Sequence, residues 1–483
     1  MEEVSLPGDA KLKMKLKLII FGVTSNLAQI KLIPALYDLE KDGLLPDDFS
    51  VIGIGRKEIG PKEFRLYINS ILNTKSPHHN HEVDPRIADD LLGRISYLSG
   101  DVNDPVLFEK LKQSVKSSKK IFYLAVYPDL YKIIFNNLIK HGLSRQKTGW
   151  SRVVVEKPLG NNLKSAQELN SLLLKYFDED QVYRLDHYLG KETLQNILDF
   201  RFGNCIFEPL MNNEFVDHIQ ITSAEEYGIG KRGNYYDNVG ALKDVGQNHI
   251  LQMLALITMK EPKNFSNKDI TSERVKLIKS LIPEPESVVF GQYENYLKEE
   301  NVIENSTTET FFALETYIDN KRFEGVPIFI RAGKMLARTV TEVAIVFKSS
   351  AKRILNTQDC SSGQNALIYR IQPNEGIILK VLVRSHGYER KLTPSFMQFC
   401  HRNLPGEPMD PYERLLYDVL KGDQTFFNDA PEIEAQWMFA DSFSQKKKPF
   451  IYPKGSWGPK QADQLIEKSG RHWLEPSTLF CQF

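Results

Sequence analysis

Short apolar runs separated by helical segments constrain the fold of this chain more than any other feature. In the first part of the chain such runs occupy residues 16–21, 50–55, 120–126, 152–155 and 181–183. Runs of this length are typical of buried strands, and strands that alternate with helices build a doubly wound parallel sheet. We expect the stretch between residues 60 and 101 to be helical apart from one loop.

The second half of the chain has a different pattern. We predict strands at residues 216–222, 311–318, 326–331, 342–347, 366–371 and 376–383, with helices at 241–259, 410–421 and 429–444. Residues 287–306 are polar and predict a long connection. Since 483 residues exceed one ordinary core, we predict two domains. Residues 1–185 would form a Rossmann-like, dinucleotide-binding domain, and residues 186–483 a larger α+β domain with a mainly antiparallel sheet.

Composition excludes several classes of function. Hydrophobic residues make up 41% and charged residues 26% of the chain, as in a soluble globular protein. Lys plus Arg and Asp plus Glu both total 62, so net charge attracts neither nucleic acid nor a membrane surface. No run approaches the roughly 18 apolar residues that span a bilayer. We therefore predict no nucleic-acid partner and no membrane partner.

Cysteine spacing and the N-terminus indicate a compartment. The four cysteines lie far apart without a CxxC motif, at Cys205, Cys360, Cys400 and Cys481. This spacing suits a reducing compartment and argues against a structural zinc site. The first residues are acidic where a secretory signal would be basic. We predict a cytoplasmic protein.

The first strand ends in a turn that suits a dinucleotide. Gly22 permits a tight turn, and Ser25 or Asn26 can cap the helix that follows. Free N–H groups before and around Leu27 would suit a pyrophosphate. Only one of the three glycines of the usual fingerprint is present, so an ordinary strand-to-helix turn is the competing interpretation.

The second strand is followed by two basic residues, Arg56 and Lys57. In dinucleotide-binding folds this position meets the adenosine ribose, where an acidic residue binds NAD and an arginine can pair with the 2′-phosphate of NADP. We therefore expect NADP rather than NAD. A solvent-exposed basic turn is the alternative.

Two further segments carry candidate site residues at strand ends. Lys157 follows the strand at residues 152–155, on the edge where α/β folds bind cofactor and substrate. Residues 184–192 (RLDHYLGKE) lie between a strand and a helix and contain Asp186, His187, Tyr188 and Lys191. Such a junction is a common ligand site. The alternative for Lys157 is a strand that simply stops at Pro158, and the alternative for residues 184–192 is a solvated loop.

His249 lies on the helix predicted at residues 241–259. It shares a stripe with Val245 and Met253 at a spacing of four, so we expect it to face inward. A core histidine is the commoner outcome for such a residue, but Asp244 one turn earlier is a second polar group that needs a partner. Three other histidines, at positions 78, 79 and 81, more simply form a surface loop than a metal site.

Together these motifs resemble the glucose-6-phosphate dehydrogenase family over nearly the whole chain. Residues 184–192 match the family's substrate motif with one conservative change, Leu185. Four further motifs match in the same order: EKPLG at 156–160, the segment 244–249, GVP at 325–327 and RAGK at 331–334. The GSWGP segment at 455–459 extends the resemblance toward the C-terminal end.

The resemblance implies oxidation of glucose 6-phosphate to 6-phosphoglucono-1,5-lactone with hydride transfer to NADP, the first oxidative step of the pentose phosphate pathway. It implies His249 as general base with Asp186 as its partner, and His187, Tyr188 and Lys191 as ligands of the sugar phosphate. Further substrate ligands would be Lys157, Glu225, Asp244, Lys334 and Gln372. Cofactor contacts would come from Gly22, Ser25, Asn26, Leu27, Arg56, Tyr131 and Lys157. The resemblance implies no metal. It implies that the domain at residues 186–483 binds the substrate and mediates oligomerisation, giving a homodimer or homotetramer.

The chain also departs from the family pattern. Ser25-Asn26 stand where the family usually has Gly-Asp, Tyr127-Pro128 replace Pro-Pro, and Thr339 occupies a position that is often basic. These changes weaken the NADP prediction more than the sugar-site prediction. Two alternatives remain: a broader sugar dehydrogenase that shares the Glu-Lys-Pro motif, and a cofactor-binding regulator with impaired turnover.

Overall fold

Two separate β-sheets organise the chain. The computed structural model describes residues 16–74, 82–115, 119–144, 150–349, 364–388, 392–443, 447–476 and 480–481. By contacts, the first unit comprises the described residues of Met1–Gly160, Lys164–Lys191 and Met409–Ala430. The second comprises those of Asn161–Leu163, Glu192–Pro408 and Pro431–Phe483. The predicted domain limits, 1–185 and 186–483, stay predictions.

The first unit contains a six-stranded parallel sheet in the order β3-β2-β1-β4-β5-β6. Its strands are β1 (Leu16–Phe21), β2 (Phe49–Gly55), β3 (Ile95–Ser99), β4 (Lys119–Leu124), β5 (Trp150–Val155) and β6 (Val182–Arg184). This order is that of a Rossmann fold, which confirms the predicted doubly wound sheet. The prediction that residues 60–101 hold no strand was wrong. β3 is an edge strand with only half-buried or exposed side chains, so it lacks the apolar run of a central strand.

The second unit contains a nine-stranded sheet in the order β14-β13-β12-β11-β7-β10-β9-β8-β15. Two neighbouring pairs, β7 with β10 and β8 with β15, are parallel, and the other pairs are antiparallel. The strands are β7 (Val216–Ala224), β8 (Leu281–Tyr293), β9 (Phe311–Ile318), β10 (Ile328–Gly333), β11 (Val340–Phe347), β12 (Ala366–Gln372), β13 (Gly376–Arg384), β14 (Leu392–Cys400) and β15 (Phe450–Tyr452). The mainly antiparallel second sheet is therefore confirmed.

Part of the predicted connection at residues 287–306 is strand instead. β8 runs through Leu281–Tyr293, and its pairing with β9 shifts register between Pro283 and Val288. Two prolines and partly exposed side chains in its first half hide the strand pattern, because prolines are usually read as strand breakers.

Thirteen α-helices cover the sheets over the described residues. They are α1 (Ile33–Lys41), α2 (Pro61–Leu72), α3 (Pro85–Arg94), α4 (Pro105–Ser114), α5 (Tyr131–Lys140), α6 (Leu163–Tyr176), α7 (Glu192–Gly203), α8 (Gly233–Tyr236), α9 (Leu251–Thr258), α10 (Asn267–Lys279), α11 (Pro411–Lys421), α12 (Ala430–Asp441) and α13 (Lys460–Glu467). A π-helix, Leu242–Ile250, leads directly into α9. None of these helices has the length and apolarity that crossing a membrane requires.

Three helices of the first unit start with the same Asp-Pro pair. Asp84, Asp104 and Asp410 each accept a hydrogen bond from the backbone N–H two residues later, at 2.8–2.9 Å. The proline that follows each aspartate occupies the first helical position, where a missing N–H costs nothing. The local sequence therefore fixes where α3, α4 and α11 begin.

The cysteine spacing proved a poor guide to pairing. Cys400 at the end of β14 is disulfide-bonded to Cys481, with Cα atoms 5.6 Å apart. The fold brings together two cysteines that lie 81 positions apart, so wide spacing in the sequence did not indicate which cysteines pair, and the compartment stays a prediction. Cys205 is free and exposed, while Cys360 and the histidine-rich loop lie outside the described residues.

Candidate active site

The carboxyl ends of the parallel strands bring several predicted residues to one edge of the first sheet. The register sets the last residues of β1, β2, β4, β5 and β6 side by side. Gly22, Arg56, Lys157 and Asp186 each follow a strand end within two positions. This edge is where doubly wound folds bind ligands.

The turn after β1 requires glycine. Gly22 has φ +86°, and a Cβ there would collide with the carbonyl oxygen of Ala125. Its N–H donates to Ile54 O at 2.9 Å, which fixes the turn against β2. Ser25 Oγ accepts from Ala28 N at 3.2 Å, as predicted for a capping residue. The turn leaves Asn26 exposed at the start of the helical segment, an arrangement that fits a dinucleotide pyrophosphate.

The predicted ribose position is solvent-accessible. Arg56 and Lys57 are both exposed after β2, and Tyr97 OH donates to Lys57 O at 2.7 Å. Hydrogen bonds from Asn103, with a smaller contribution from the Arg56 charge, lower the pKa of Asp101. Tyr131 is different, because its ring is fully buried in the first turn of α5. Its cofactor contact stays a prediction.

The segment after β6 is fixed from both ends. Arg184 is fully buried, and its guanidinium donates to both carboxylate oxygens of Glu179 at 2.7 and 3.1 Å and to Asn170 Oδ1 at 2.9 Å. Overlapping turns follow, in which Asp186 O accepts from Leu189 N at 3.0 Å. Asp186 Oδ1 also accepts from Tyr188 N at 3.0 Å. The charged cluster is therefore a folded turn and not a solvated loop.

The three predicted phosphate ligands lie together on this turn. The rings of His187 and Tyr188 have centroids 5.2 Å apart, and Lys191 Nζ lies 5.3 Å from the Tyr188 ring centroid. Tyr412 at the start of α11 stacks on His187 at 6.3 Å. A Cβ on Gly190 would collide with backbone and side-chain atoms of α11, so this helix supports the turn directly.

A buried carboxyl group beside Lys157 escaped the sequence reasoning. Tyr123 OH donates to Glu156 Oε1, and Tyr412 also hydrogen-bonds to this carboxyl group. Burial raises the pKa of Glu156 to about 7, the Tyr123 hydrogen bond and the Lys157 charge lower it, and Asp186 raises it further. The position of Glu156 next to Lys157 was a usable sequence signal, whereas nothing in the sequence links either residue to Tyr412.

Three predicted substrate ligands meet at one edge of the second sheet. Gly333 pairs with Ala224, while Thr341 pairs with both Ser223 and Gln372. Glu225, Lys334 and Gln372 therefore end or follow β7, β10 and β12 at the same edge. Glu225 and Lys334 also form an ion pair.

The π-helix of the second unit carries Asp244 and His249. His249 is 4% exposed, which confirms the predicted inward orientation. Its backbone N–H donates to Asn248 Oδ1 at 2.7 Å, and Asn248 Nδ2 donates to the carbonyl oxygens of Lys243 and Asp244 at 3.2 Å. The α-helical spacing assumed for residues 242–250 was wrong because a π-helix has wider turns, and Val245 is only half-buried.

Comparison with known proteins identifies the family. Residues 19–196 match the model of the glucose-6-phosphate dehydrogenase NAD binding domain, and residues 198–474 match that of the glucose-6-phosphate dehydrogenase C-terminal domain. The chain belongs to the glucose-6-phosphate dehydrogenase family. The family assignment made from the sequence motifs is thus confirmed, and with it a nicotinamide dinucleotide as cofactor.

Individual relatives align over almost their full length. Glucose-6-phosphate 1-dehydrogenase from Borreliella burgdorferi is 42% identical over 471 residues, covering 93% of this chain and 96% of that protein. The enzyme of the same name from Chlamydia muridarum is 37% identical over 488 residues, with 94% and 96% covered. A structure of glucose-6-phosphate dehydrogenase in complex with its substrate glucose-6-phosphate superposes with a TM-score of 0.88 at 31% identity, covering 96% of this chain and all of that one.

Proposed function

We propose that this chain oxidises the C1 hydroxyl of glucose 6-phosphate and transfers the hydride to NADP, giving 6-phosphoglucono-1,5-lactone. This is the first oxidative step of the pentose phosphate pathway. The observation that carries the proposal is the folded turn at residues 186–191, which groups His187, Tyr188 and Lys191 in a chain that matches both domains of the family.

The oxidation removes a proton from the C1 hydroxyl and a hydride from C1. His249 is the general base in this proposal, since an imidazole titrates near neutral pH and such assistance contributes roughly 10²–10⁴-fold. Asp186 is assigned as its partner, where a carboxylate would hold the histidine tautomer and stabilise the imidazolium that forms. A bound nicotinamide cofactor would supply the acceptor for the hydride.

The remaining polar residues bind and orient the sugar. Lys191 supplies a positive charge to the phosphate, and His187 and Tyr188 supply donors, so binding energy far from C1 positions the reacting carbon. The other proposed substrate ligands are Lys157, Glu225, Asp244, Lys334 and Gln372. The ion pair of Glu225 with Lys334 keeps both side chains satisfied before a sugar hydroxyl binds.

NADP is the proposed form of the cofactor because Arg56 is exposed at the ribose position. A guanidinium there can pair with the 2′-phosphate that NAD lacks. The pyrophosphate would lie at the turn of Gly22, Ser25, Asn26 and Leu27, whose backbone fits it as described.

Initial rates with purified protein test the function. Glucose 6-phosphate and free glucose are each assayed with NADP and with NAD. We expect turnover of glucose 6-phosphate with NADP and little turnover of free glucose. Equal use of free glucose would favour a broader sugar dehydrogenase, and cofactor binding without turnover would favour a regulator.

Self-association and location are further parts of the proposal. Val383, Met397 and Phe399 are exposed on one face of β13 and β14, and Phe396 is exposed on the other. Exposed apolar side chains of this kind support a homodimer or homotetramer. Sedimentation velocity tests self-association: a dimer or tetramer mass is expected, and a monomer mass would contradict it. A cytoplasmic location, proposed from the family's phosphorylated substrate, is tested by fractionating the source cells.

A further inference from the structure

Glu309 precedes β9 and lies at the start of the π-helix that carries Asp244 and His249. Its backbone carbonyl oxygen accepts from Ala241 N at 3.0 Å, and its side-chain Oε1 accepts from Leu242 N at 3.2 Å. The first N–H groups of a helix have no acceptor within the helix. One residue from another segment therefore satisfies two of them.

Gly240 makes room for this carboxyl group. It has φ +75°, and a Cβ at this position would collide with all three terminal atoms of the Glu309 side chain. The glycine and the glutamate therefore fit as a pair, with the carboxyl group packed directly against the backbone that enters the helix.

The residue after Glu309 holds a second part of the proposed site. Thr310 O accepts from Lys334 N at 3.0 Å. Thr310 Oγ1 lies 3.0 Å from Tyr452 OH, which donates to Lys334 O at 2.6 Å. Residues 309 and 310 thus fix the helix of His249 and the backbone of Lys334 from one short segment.

We propose that Glu309 is a positioning residue, whose side-chain oxygen fixes the start of the π-helix and thereby the orientation of His249 toward the reacting C1 hydroxyl. The inference rests on the proposed function. Glu309 itself touches neither the substrate nor the cofactor in this scheme.

The charge of Glu309 is less important than its oxygen. Burial raises the pKa of Glu309 to about 7, while backbone hydrogen bonds and the Lys243 charge lower it. Glu309 lines a cavity of about 230 Å³ together with two other ionisable groups, Asp237 and Lys447. The phenols of Tyr236 and Tyr296 also lie close enough to interact with its charge. Near neutral pH both forms of the carboxyl group are populated, and each retains an oxygen that can accept from Leu242 N.

Two substitutions separate the oxygen from the side-chain volume. Glu309→Met keeps the approximate size and removes the acceptor oxygen, whereas Glu309→Gln keeps an oxygen and removes the charge. We expect E309M to lower kcat by about tenfold, the scale of one lost hydrogen bond. The KM for glucose 6-phosphate should change by less than about threefold, because the proposed phosphate ligands lie elsewhere.

Hydrogen exchange gives a readout that does not depend on catalysis. In E309M the amides of residues 241–250 should exchange faster than in the wild type, while E309Q should resemble the wild type in both exchange and kcat. Glu304→Met, an exposed site five residues earlier, is the matched control and should leave both unchanged.

Several outcomes would overturn the inference. Wild-type kcat and exchange in E309M would show that the oxygen positions nothing, and an equal loss in E309M and E309Q would assign the effect to charge. If E309M does not fold, E309Q alone decides. A tenfold loss of kcat in folded E309Q would assign the effect to charge and overturn the inference. Absence of turnover in the wild type would instead refute the proposed function, and the exchange measurement would still decide whether Glu309 anchors the helix.

Discussion

The two segments that carry the proposed chemistry are held in place by different means. In the first unit, residues 186–191 form turns that close on their own backbone, through Leu189 N to Asp186 O and Lys191 N to Tyr188 O. In the second unit, His249 lies on a π-helix whose first N–H groups are satisfied by Glu309, a residue well downstream in the chain. The backbone hydrogen bonds of the turn are local, whereas those at the start of the helix come from a distant residue.

This difference matches two kinds of task. A turn can direct several neighbouring side chains to one side, and His187 and Lys191 are half-buried, which suits binding a phosphate that arrives from solvent. A helix presents one side chain at a fixed depth, and His249 is buried, which suits proton transfer. We therefore expect substitutions in the turn to change substrate binding and substitutions in the helix to change turnover.

The largest effect should come from the helix. His249→Asn removes the proposed base while keeping a polar side chain of similar size, and kcat should fall by roughly two orders of magnitude or more. The KM for glucose 6-phosphate should change little, as steady-state kinetics can show. His386→Asn, at an exposed histidine of the same unit, serves as the control. Wild-type turnover in H249N would remove the distinction between the two segments.

A change in the turn should affect the other parameter. Lys191→Ala removes the cationic ligand proposed for the phosphate, so kcat/KM for glucose 6-phosphate should fall by roughly 10–100-fold, mostly through KM. Saturating substrate should restore much of the rate. Lys164→Ala at the exposed start of α6 is the control. A lower kcat at unchanged KM would mean that the turn acts in the chemical step as well.

The cofactor edge of the first unit should show a smaller, selective effect. Arg56→Ala should weaken NADP binding by about tenfold and leave NAD nearly unaffected, because only NADP has a 2′-phosphate to lose its partner. Titration of cofactor fluorescence measures both constants. Arg65→Ala on the exposed face of α2 tests for a general charge effect. An equal loss of affinity for NADP and NAD would mean that a residue other than Arg56 binds the 2′-phosphate.

Local patterns predicted the first unit better than the second. Central strands such as β1 and β5 end in apolar runs, at residues 18–21 and 153–155, and these ends place Gly22 and Lys157 without any knowledge of long-range contacts. Edge strands lack that signal, so β3 was missed. The proline-containing β8 was missed for the same reason: its register comes from pairing with β9 and not from its own sequence.

Site residues could be predicted where a motif lies at a strand end. Contacts of those residues with parts of the chain far away in sequence could not. The turn at 186–191 could be singled out, but its support by Tyr412 could not, because more than 200 residues separate them. The inward orientation of His249 was predicted from a stripe with α-helical spacing, and it holds although the segment is a π-helix. The π-helix and the contact with Glu309 were not predicted, since both depend on where β9 packs.

The smallest expected effect concerns Glu156, the buried carboxyl group beside Lys157 in the first unit. Burial raises the pKa of Glu156 to about 7, against about 4.3 for an unfolded glutamate. Between these two values the folded protein binds more protons than the unfolded chain, so this group lowers stability as pH rises through about 4.3 to 7, with no further change above.

Glu156→Gln removes this ionisation and keeps an oxygen for the Tyr123 hydroxyl. The unfolding free energy should decrease from pH 5 to pH 8, and this decrease should be about 1–2 kcal/mol smaller in E156Q than in the wild type. Denaturant titration at each pH measures it. Glu168→Gln on the exposed side of α6 should follow the wild type. If E156Q follows it too, the pH dependence belongs to another buried carboxyl group, such as Glu309 or Glu413, whose pKa burial also raises to about 7. The same titration on E309Q would then show whether Glu309, and not Glu156, is the group whose ionisation lowers the unfolding free energy as pH rises.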